Sequence, residues 1–373
     1  MESCEVLIVG AGPAGSTCAR FLTKAGLSVL LLDRDQFPRG KPCAGWITPA
    51  VLETLSIDPQ LYRQGRLLQE IHEFRTGVMY GSELVTDYGT TVSYSIRRSE
   101  FDHYLLLRSA TRSTLGEAVT SLEQTADGWL VNGNIQARLL IGAGGHNCPV
   151  ARALGAKPGK EPAIVAMVAE FEMGEEQQAN CPLHAGHTSL SFASDSKGYG
   201  WLLRKGAFLN VGMGSLDKTD LRRRTIDFCA QYKRLGILVG NPAEHFKGHS
   251  YLPYRKQGGR RIVGDRVLLI GDAAGLSFPE SGEGILPAVE SAFMAAQTIL
   301  CALGDYREQN LEPYSTAVAT CFGSTAARFE GLTFPAGIKR MGAKMLLSSS
   351  WLTRRLVLDH WFIHKGRRLF ATK

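Results

Sequence analysis

The sequence predicts an α/β protein in which a three-layer, doubly wound nucleotide-binding domain is interleaved with a mostly antiparallel β-sheet domain and followed by C-terminal helices. Three observations carry this. An apolar strand at the N-terminus runs into three spaced glycines, a run of alternating strands fills the stretch from about residue 158 to 261, and a second junction of strand, glycine turn and helix follows residue 266.

Residues 6–9 form a buried-strand run that enters Gly10-Ala11-Gly12-Pro13-Ala14-Gly15. Gly10 permits the tight turn, Gly12 lets the backbone approach a pyrophosphate, and Gly15 lets the following helix lie close to the strand. Pro13 and Ala14 open that helix, whose free N–H groups and positive dipole end face the anion. Residues 17–25 read as helix and 27–32 as a second apolar strand ending in Asp33, 18 residues after Gly15, where an acid can bind the ribose hydroxyls of an adenosine; Arg34 lies beside it. This is a Rossmann-type unit, and on these residues alone the nucleotide is NAD or FAD.

The segment 35–50, rich in Pro, Gly and Lys, predicts an ordered functional loop leading to a helix near 49–55. Residues 71–94 read as antiparallel strands, 99–113 as a helix, and 128–141 as a hairpin followed by a strand that enters Gly142-Ala143-Gly144-Gly145. Strands follow at 164–173, 189–193, 200–203 and 207–212. Val211-Gly212-Met213-Gly214 looks like another GxG start but lacks the third glycine, so NAD(P)H has no separate domain. Residues 266–270 then lead into Gly271-Asp272, and Gly282-Glu283-Gly284-Ile285 starts a long helix to 303. Three glycine-rich turns therefore converge on one ligand. The expected division is 1–70, 97–157 and 262–305 for the nucleotide domain, 71–96 and 158–261 for the substrate domain, and 306–373 for a helical region with a basic tail.

Gly271-Asp272 followed by Pro279, together with Gly10 to Gly15, resembles the flavoprotein group that includes aromatic hydroxylases and geranylgeranyl reductases, over residues 4–300. The resemblance implies FAD as the held nucleotide, Asp272 at its ribitol or pyrophosphate, and the helix start at Gly282, Gly284 and Ile285 aimed at the pyrimidine end of the flavin. Within the group, Lys41-Pro42-Cys43-Ala44-Gly45 is similar to the loop of the geranylgeranyl reductase family, where the cysteine lies beside the flavin ring. Arg98-Ser99-Glu100-Phe101-Asp102 matches that family's Arg-x-x-Phe-Asp, whose Arg reaches FAD.

Three departures mark this chain. Gly144 stands where hydroxylases have an Asp associated with FAD and NADPH. Tyr199-Gly200-Trp201-Leu202-Leu203-Arg204 keeps the substrate-cavity aromatics of lipid-reducing members but has Leu-Arg for Phe-Pro. Ala44 narrows the space beside the flavin. What the resemblance implies is a hydride passed from reduced flavin to a carbon–carbon double bond of an isoprenoid-like or other hydrophobic substrate, with Cys43 as proton donor or as a group shaping the flavin environment, and with NAD(P)H or another reductant as electron source. The alternatives are an FAD monooxygenase or halogenase acting on an aromatic or polyketide, although the Trp-x-Trp-x-Ile-Pro of halogenases is absent, and a peripheral-membrane flavoprotein passing electrons to a ferredoxin or quinone.

The net charge of +7 is concentrated at one end: residues 339–373 hold nine Lys or Arg against one acid, Asp359, so the body is near neutral. That pattern argues against nucleic acid and points either to an anionic membrane surface or to a terminal helix docked on the body. Eight cysteines without CxxC spacing, no metal-ligand pattern among the histidines, and no signal-like or membrane-spanning run predict a cytoplasmic protein without a metal, either free or peripherally membrane-associated. Seven of the histidines, among them His249, read as structural or surface groups, and His146 is the one to watch. Glu283 reads as a helix-start acid or a proton relay.

Overall fold

Strands in which nearly every residue is apolar need cover on both faces, and the nucleotide-binding sheet is built around such strands. A computed structural model describes residues 1–195, 197–238, 241–326 and 346–367. Glu2–Val9 is central in an eight-stranded sheet, with Val29–Asp33 and Arg112–Leu115 on one side and Ile135–Gly142 and Val267–Leu269 on the other, all five parallel. The chain leaves Glu2–Val9 first to one side and later to the other, so the sheet's switch point falls beside Gly10. Val263–Gly264 and the hairpin of Leu122–Thr125 and Gly128–Val131 add antiparallel strands.

The helix following Gly12, Pro13–Lys24, packs between Ile285–Cys301 and Arg98–Ser109. Burial of 14 of the 17 residues of Ile285–Cys301 explains its small-residue composition. The helix expected over 99–113 stops at Ser109, because Ala110 turns into the left-handed region (φ 51°) and Arg112–Leu115 joins the sheet edge instead. That strand is missed by pattern because its first two residues are exposed, so it has no apolar run.

The second sheet has seven strands in the order Lys247–Tyr251, Ile164–Glu172, Phe208–Ser215, Gly198–Lys205, His187–Phe192, Glu73–Val78 and Glu83–Asp87. All pairs are antiparallel except His187–Phe192 with Glu73–Val78. The GxG-like run at Gly212 and Gly214 lies inside a strand here. A Cβ on Gly212 would come within 2.4 Å of the Trp201 ring, so that glycine makes room for an indole and not for a phosphate. A small sheet of Trp46–Ile47, Ser93–Ile96 and Leu68–Ile71 stands apart from both large sheets.

Of the basic tail, residues 346–367 are described; Lys339, Arg340, Lys344, Arg368, Phe370 and Lys373 lie outside the described residues. The described stretch docks on the body. Val357, Leu358, Phe362 and Ile363 are buried in a cluster with Ile71, Phe74 and Trp201, and Tyr88 donates to Asp359 at 2.8 Å. Arg367 pairs with the buried Glu290 at 2.8 Å. Trp351 and Leu356 remain exposed beside the exposed Arg354 and Arg355. No helix among the described residues is long and apolar enough to cross a membrane.

Candidate active site

Parallel strands of a doubly wound sheet leave a crevice at their carboxyl ends, and a cavity of about 690 Å³ opens there, lined by both large sheets. Gly10, Gly12, Pro13, Ala14, Asp33, Arg34, Lys41, Cys43, Ala44, Arg98, Asp272, Gly282, Gly284 and Ile285 line it, as do Tyr199 and Trp201. Three of the sequence-predicted residues do not reach it. Gly15 and Gly271 pack beneath the turns, where a Cβ would meet the Gly10 carbonyl oxygen at 1.8 Å or the Ala14 Cβ at 3.0 Å. Pro279 lies in the tight loop that Phe278 and Gly282 close by a backbone hydrogen bond of 2.9 Å.

The cavity fits a dinucleotide. A Cβ on Gly12 would touch only the tip of Arg39, at 3.5 Å, so the turn has open space where a pyrophosphate would sit. Pro13–Lys24 and Ile285–Cys301 both begin without a capping side chain or an acid in the first turn, leaving their N–H groups for a ligand. Asp33 is fixed by the N–H groups of Ala11 (2.6 Å) and Asp35 (2.9 Å). Bound there, FAD would supply two-electron chemistry at its ring, and these are the residues that would hold its phosphates and ribose.

Around Asp272 the electrostatics are set by its neighbours. Burial pushes this carboxyl up, but Lys41 (3.5 Å), His249 (3.6 Å) and Arg98 outweigh it and hold it well below the usual range. His249, read from sequence as a bland histidine, is brought here by the edge strand Lys247–Tyr251; burial and Lys41 lower its pKa despite Asp272. An acid held below its unfolded pKa adds stability above about pH 4 that is lost as the pH falls further. Denaturant titration of the apoprotein is therefore expected to show a steeper loss of stability below about pH 4 for the wild type than for Asp272→Asn. Equal slopes would remove Asp272 from the account.

Arg98 is buried and bidentate to Asp102, both contacts at 2.8 Å, and Arg39 adds a third cation–carboxylate contact at 3.3 Å. Arg98 is thus a rigid post beside the Cys43 loop. His146 also lines the cavity, held by Arg260 at 3.1 Å, and burial with Arg260 lowers its pKa.

The Cys43 loop is anchored by residues that sequence reading passed over. Asn210 donates to the Cys43 carbonyl and to Glu170, each at 2.9 Å, and accepts from the Trp201 indole at 2.8 Å. Lys205, fully buried, donates to Glu170 at 2.6 Å and to the Ile96 carbonyl at 2.9 Å. Gly45 (φ 64°) completes the loop; a Cβ there would lie 2.3 Å from the Ile96 carbonyl oxygen. On its apolar side the cavity is walled by Trp46, Tyr199, Trp201 and Phe362, the last from the docked tail. Phe362 stacks on Trp46 at 5.3 Å and meets Tyr199 edge-on at 5.4 Å.

A glycine turn with room for a phosphate and an apolar chamber in one cavity fit a dinucleotide-dependent oxidoreductase, and comparison with known proteins makes the nucleotide FAD. Residues 3–322 match the FAD binding domain family. A digeranylgeranylglycerophospholipid reductase of Methanococcus vannielii is 28% identical over 84% of this chain and 82% of its own length. A geranylgeranyl bacteriochlorophyll reductase-like protein of Thermoplasma acidophilum superposes with a TM-score of 0.74 at 20% identity, covering 100% of this chain and 94% of the other. The flavin-dependent halogenase CmlS gives a TM-score of 0.65 at 20% identity, over 94% of this chain and 71% of its own; both structures share the fold alone. The chain belongs to the FAD binding domain family.

Proposed function

We propose that this protein reduces carbon–carbon double bonds of an isoprenoid-like lipid or similar hydrophobic substrate. The observation that carries the reading is the continuity of one cavity from the Gly12 turn to the aromatic wall of Trp46, Tyr199, Trp201 and Phe362. A prenyl chain gains by leaving water for such a wall. Cys43 lines the same cavity, its backbone clamped by Asn210 and its Sγ accepting from the Gly45 N–H at 3.3 Å. It is proposed as the side chain that shapes the reacting face beside the flavin.

The test is anaerobic. Holoenzyme reduced with dithionite is mixed with digeranylgeranylglycerophospholipid; reoxidation of the flavin with gain of two hydrogens per double bond is the expected result. A turnover that needs oxygen would replace this reading by a monooxygenase. In the same assay Cys43→Ala is expected to keep its FAD and to slow lipid-dependent reoxidation by at least about tenfold. Unchanged kinetics would leave Cys43 a packing residue.

NAD(P)H is the proposed electron source, read as bleaching of the bound FAD without oxygen; a flavin that stays oxidised would direct the search to a ferredoxin or quinol. The exposed Trp351, Leu356, Arg354 and Arg355 support a further proposal, contact with an anionic membrane surface from which a lipid substrate is drawn. Sedimentation with anionic vesicles that weakens with salt is expected.

A further inference from the structure

We propose that Glu283 and His364 form the acid pair that delivers a proton to the substrate, an inference that rests on the reductase reading above. Glu283 lies in the turn before Ile285–Cys301 and lines the cavity beside Ser281, Tyr199 and Phe362. Its side chain is 10% exposed, and the 6% exposed His364 reaches it from the other end of the chain, with Nε2 3.0 Å from Oε2. The contact lacks hydrogen-bond alignment: among the described residues neither oxygen of Glu283 nor Nε2 of His364 has a hydrogen-bond partner. A buried carboxyl with both oxygens unbonded is costly as an anion unless a charge or a proton answers it.

The surroundings hold this pair ready and do not absorb it. Glu290, the neighbouring buried acid, is taken by Arg367 through contacts of 2.8 and 3.2 Å. The His364 ring rests on Phe278, with centroids 4.1 Å apart, and its backbone sits in the left-handed region (φ 55°), a conformation uncommon outside glycine. Tyr199 donates its hydroxyl to the Ser281 carbonyl, and the Tyr251 ring packs against Gly282.

An isoprenoid double bond is scarcely polarised, so adding a hydride alone would leave a carbanion in an apolar chamber. One alkene carbon accepts the hydride and its electron pair, for which the reduced flavin is the source. The other carbon takes a proton from the Glu283 carboxyl as the C–H bond forms and the O–H bond breaks. The resulting carboxylate regains its proton from solvent, relayed through the His364 imidazole. The flavin loses two electrons and the alkene gains them.

The experiment compares wild-type, Glu283→Gln, Glu283→Asp and His364→Gln holoenzymes, reduced with dithionite and mixed without oxygen with digeranylgeranylglycerophospholipid. Glu283→Gln is expected to slow reoxidation at least about 100-fold and His364→Gln about tenfold, as loss of a general acid does. Glu283→Asp, which keeps an acid, should retain more than a tenth of the rate. FAD content, reoxidation by oxygen and tryptic cleavage after Lys365 are expected to match the wild type in all. A Glu283→Gln rate within twofold of wild type, equal losses in the Asp and Gln variants, or a tail newly open to trypsin would overturn the proposal. A wild type that oxygen reoxidises and the lipid does not would overturn the reductase reading, and the proposal with it.

Discussion

Gly12→Ala is expected to give a folded protein that has lost its FAD, and Gly15→Ala a protein that does not fold. Both glycines belong to one turn, yet their surroundings differ. At Gly12 the backbone (φ −73°, ψ −172°) is one that alanine adopts freely, and the added carbon would touch only the movable end of Arg39 at 3.5 Å. The protein alone tolerates the change; a pyrophosphate pressed against that backbone does not. FAD affinity is expected to fall at least about 100-fold, or about 3 kcal/mol, with the apoprotein's melting temperature nearly unchanged. At Gly15 the carbon would overlap the Gly10 carbonyl oxygen at 1.8 Å, and backbone cannot move aside as a side chain can. Equilibrium dialysis with FAD and thermal melting of both apoproteins check the pair. Normal FAD binding by Gly12→Ala would sink the phosphate-cradle account.

The second large effect is expected at Lys205. Burial lowers the pKa of its ammonium, with Glu170 working the other way; burial likewise raises the pKa of Glu170, but Lys205, Asn210 and Arg97 bring it below its ordinary value. Lys205→Met removes the strongest partner of Glu170 and leaves the Ile96 carbonyl without its donor. Breaking a buried pair from one side costs about 3–5 kcal/mol. Because Glu170 also holds Asn210, which holds the Cys43 carbonyl, the loss should extend to the flavin-side loop. Lys205→Met/Glu170→Leu, which empties both sides, is expected to recover much of the stability. Urea denaturation of the two single variants and the double variant measures this. A Lys205→Met loss below about 1 kcal/mol would show that the network contributes little.

Much of the nucleotide half was legible because phosphate-binding turns are local: strand, glycines and helix start are neighbours in sequence, Gly10 to Gly15 and Asp33 needed no knowledge of distant contacts, and Asp272 came with the family resemblance. What escaped was assembled over distance. Lys205, Glu170 and Asn210 look like strand residues with no motif, and only the register of Ile164–Glu172 against Phe208–Ser215 brings Glu170 opposite Asn210. His249 sits on an edge strand whose pairing partner fixes which face it shows. The tail's two readings, docked helix or membrane contact, depend on whether its apolar residues find a surface. Phe362 found one in Trp46 and Tyr199, whereas Trp351 and Leu356 stayed exposed. Lys41 and Cys43 carried a family signature, but neither spacing nor charge tied Lys41 to Asp272, whereas Arg98 and Asp102 pair at i,i+4 within one motif.

The last described stretch of the chain supplies Phe362 to a chamber whose first residues are Val9 and Gly10, and sets His364 against Glu283 on its wall. On the ribosome, where the N-terminal part emerges and folds first, the glycine turns and three of the four aromatic residues of the wall are made before Phe362, which closes its last side. The nascent protein therefore passes through a stage with an open crevice, and reaches its closed form when the segment that carries Phe362 and His364 docks. A premature stop near residue 345 would on this view yield a coloured protein with a water-filled chamber, in which flavin electrons drain to oxygen.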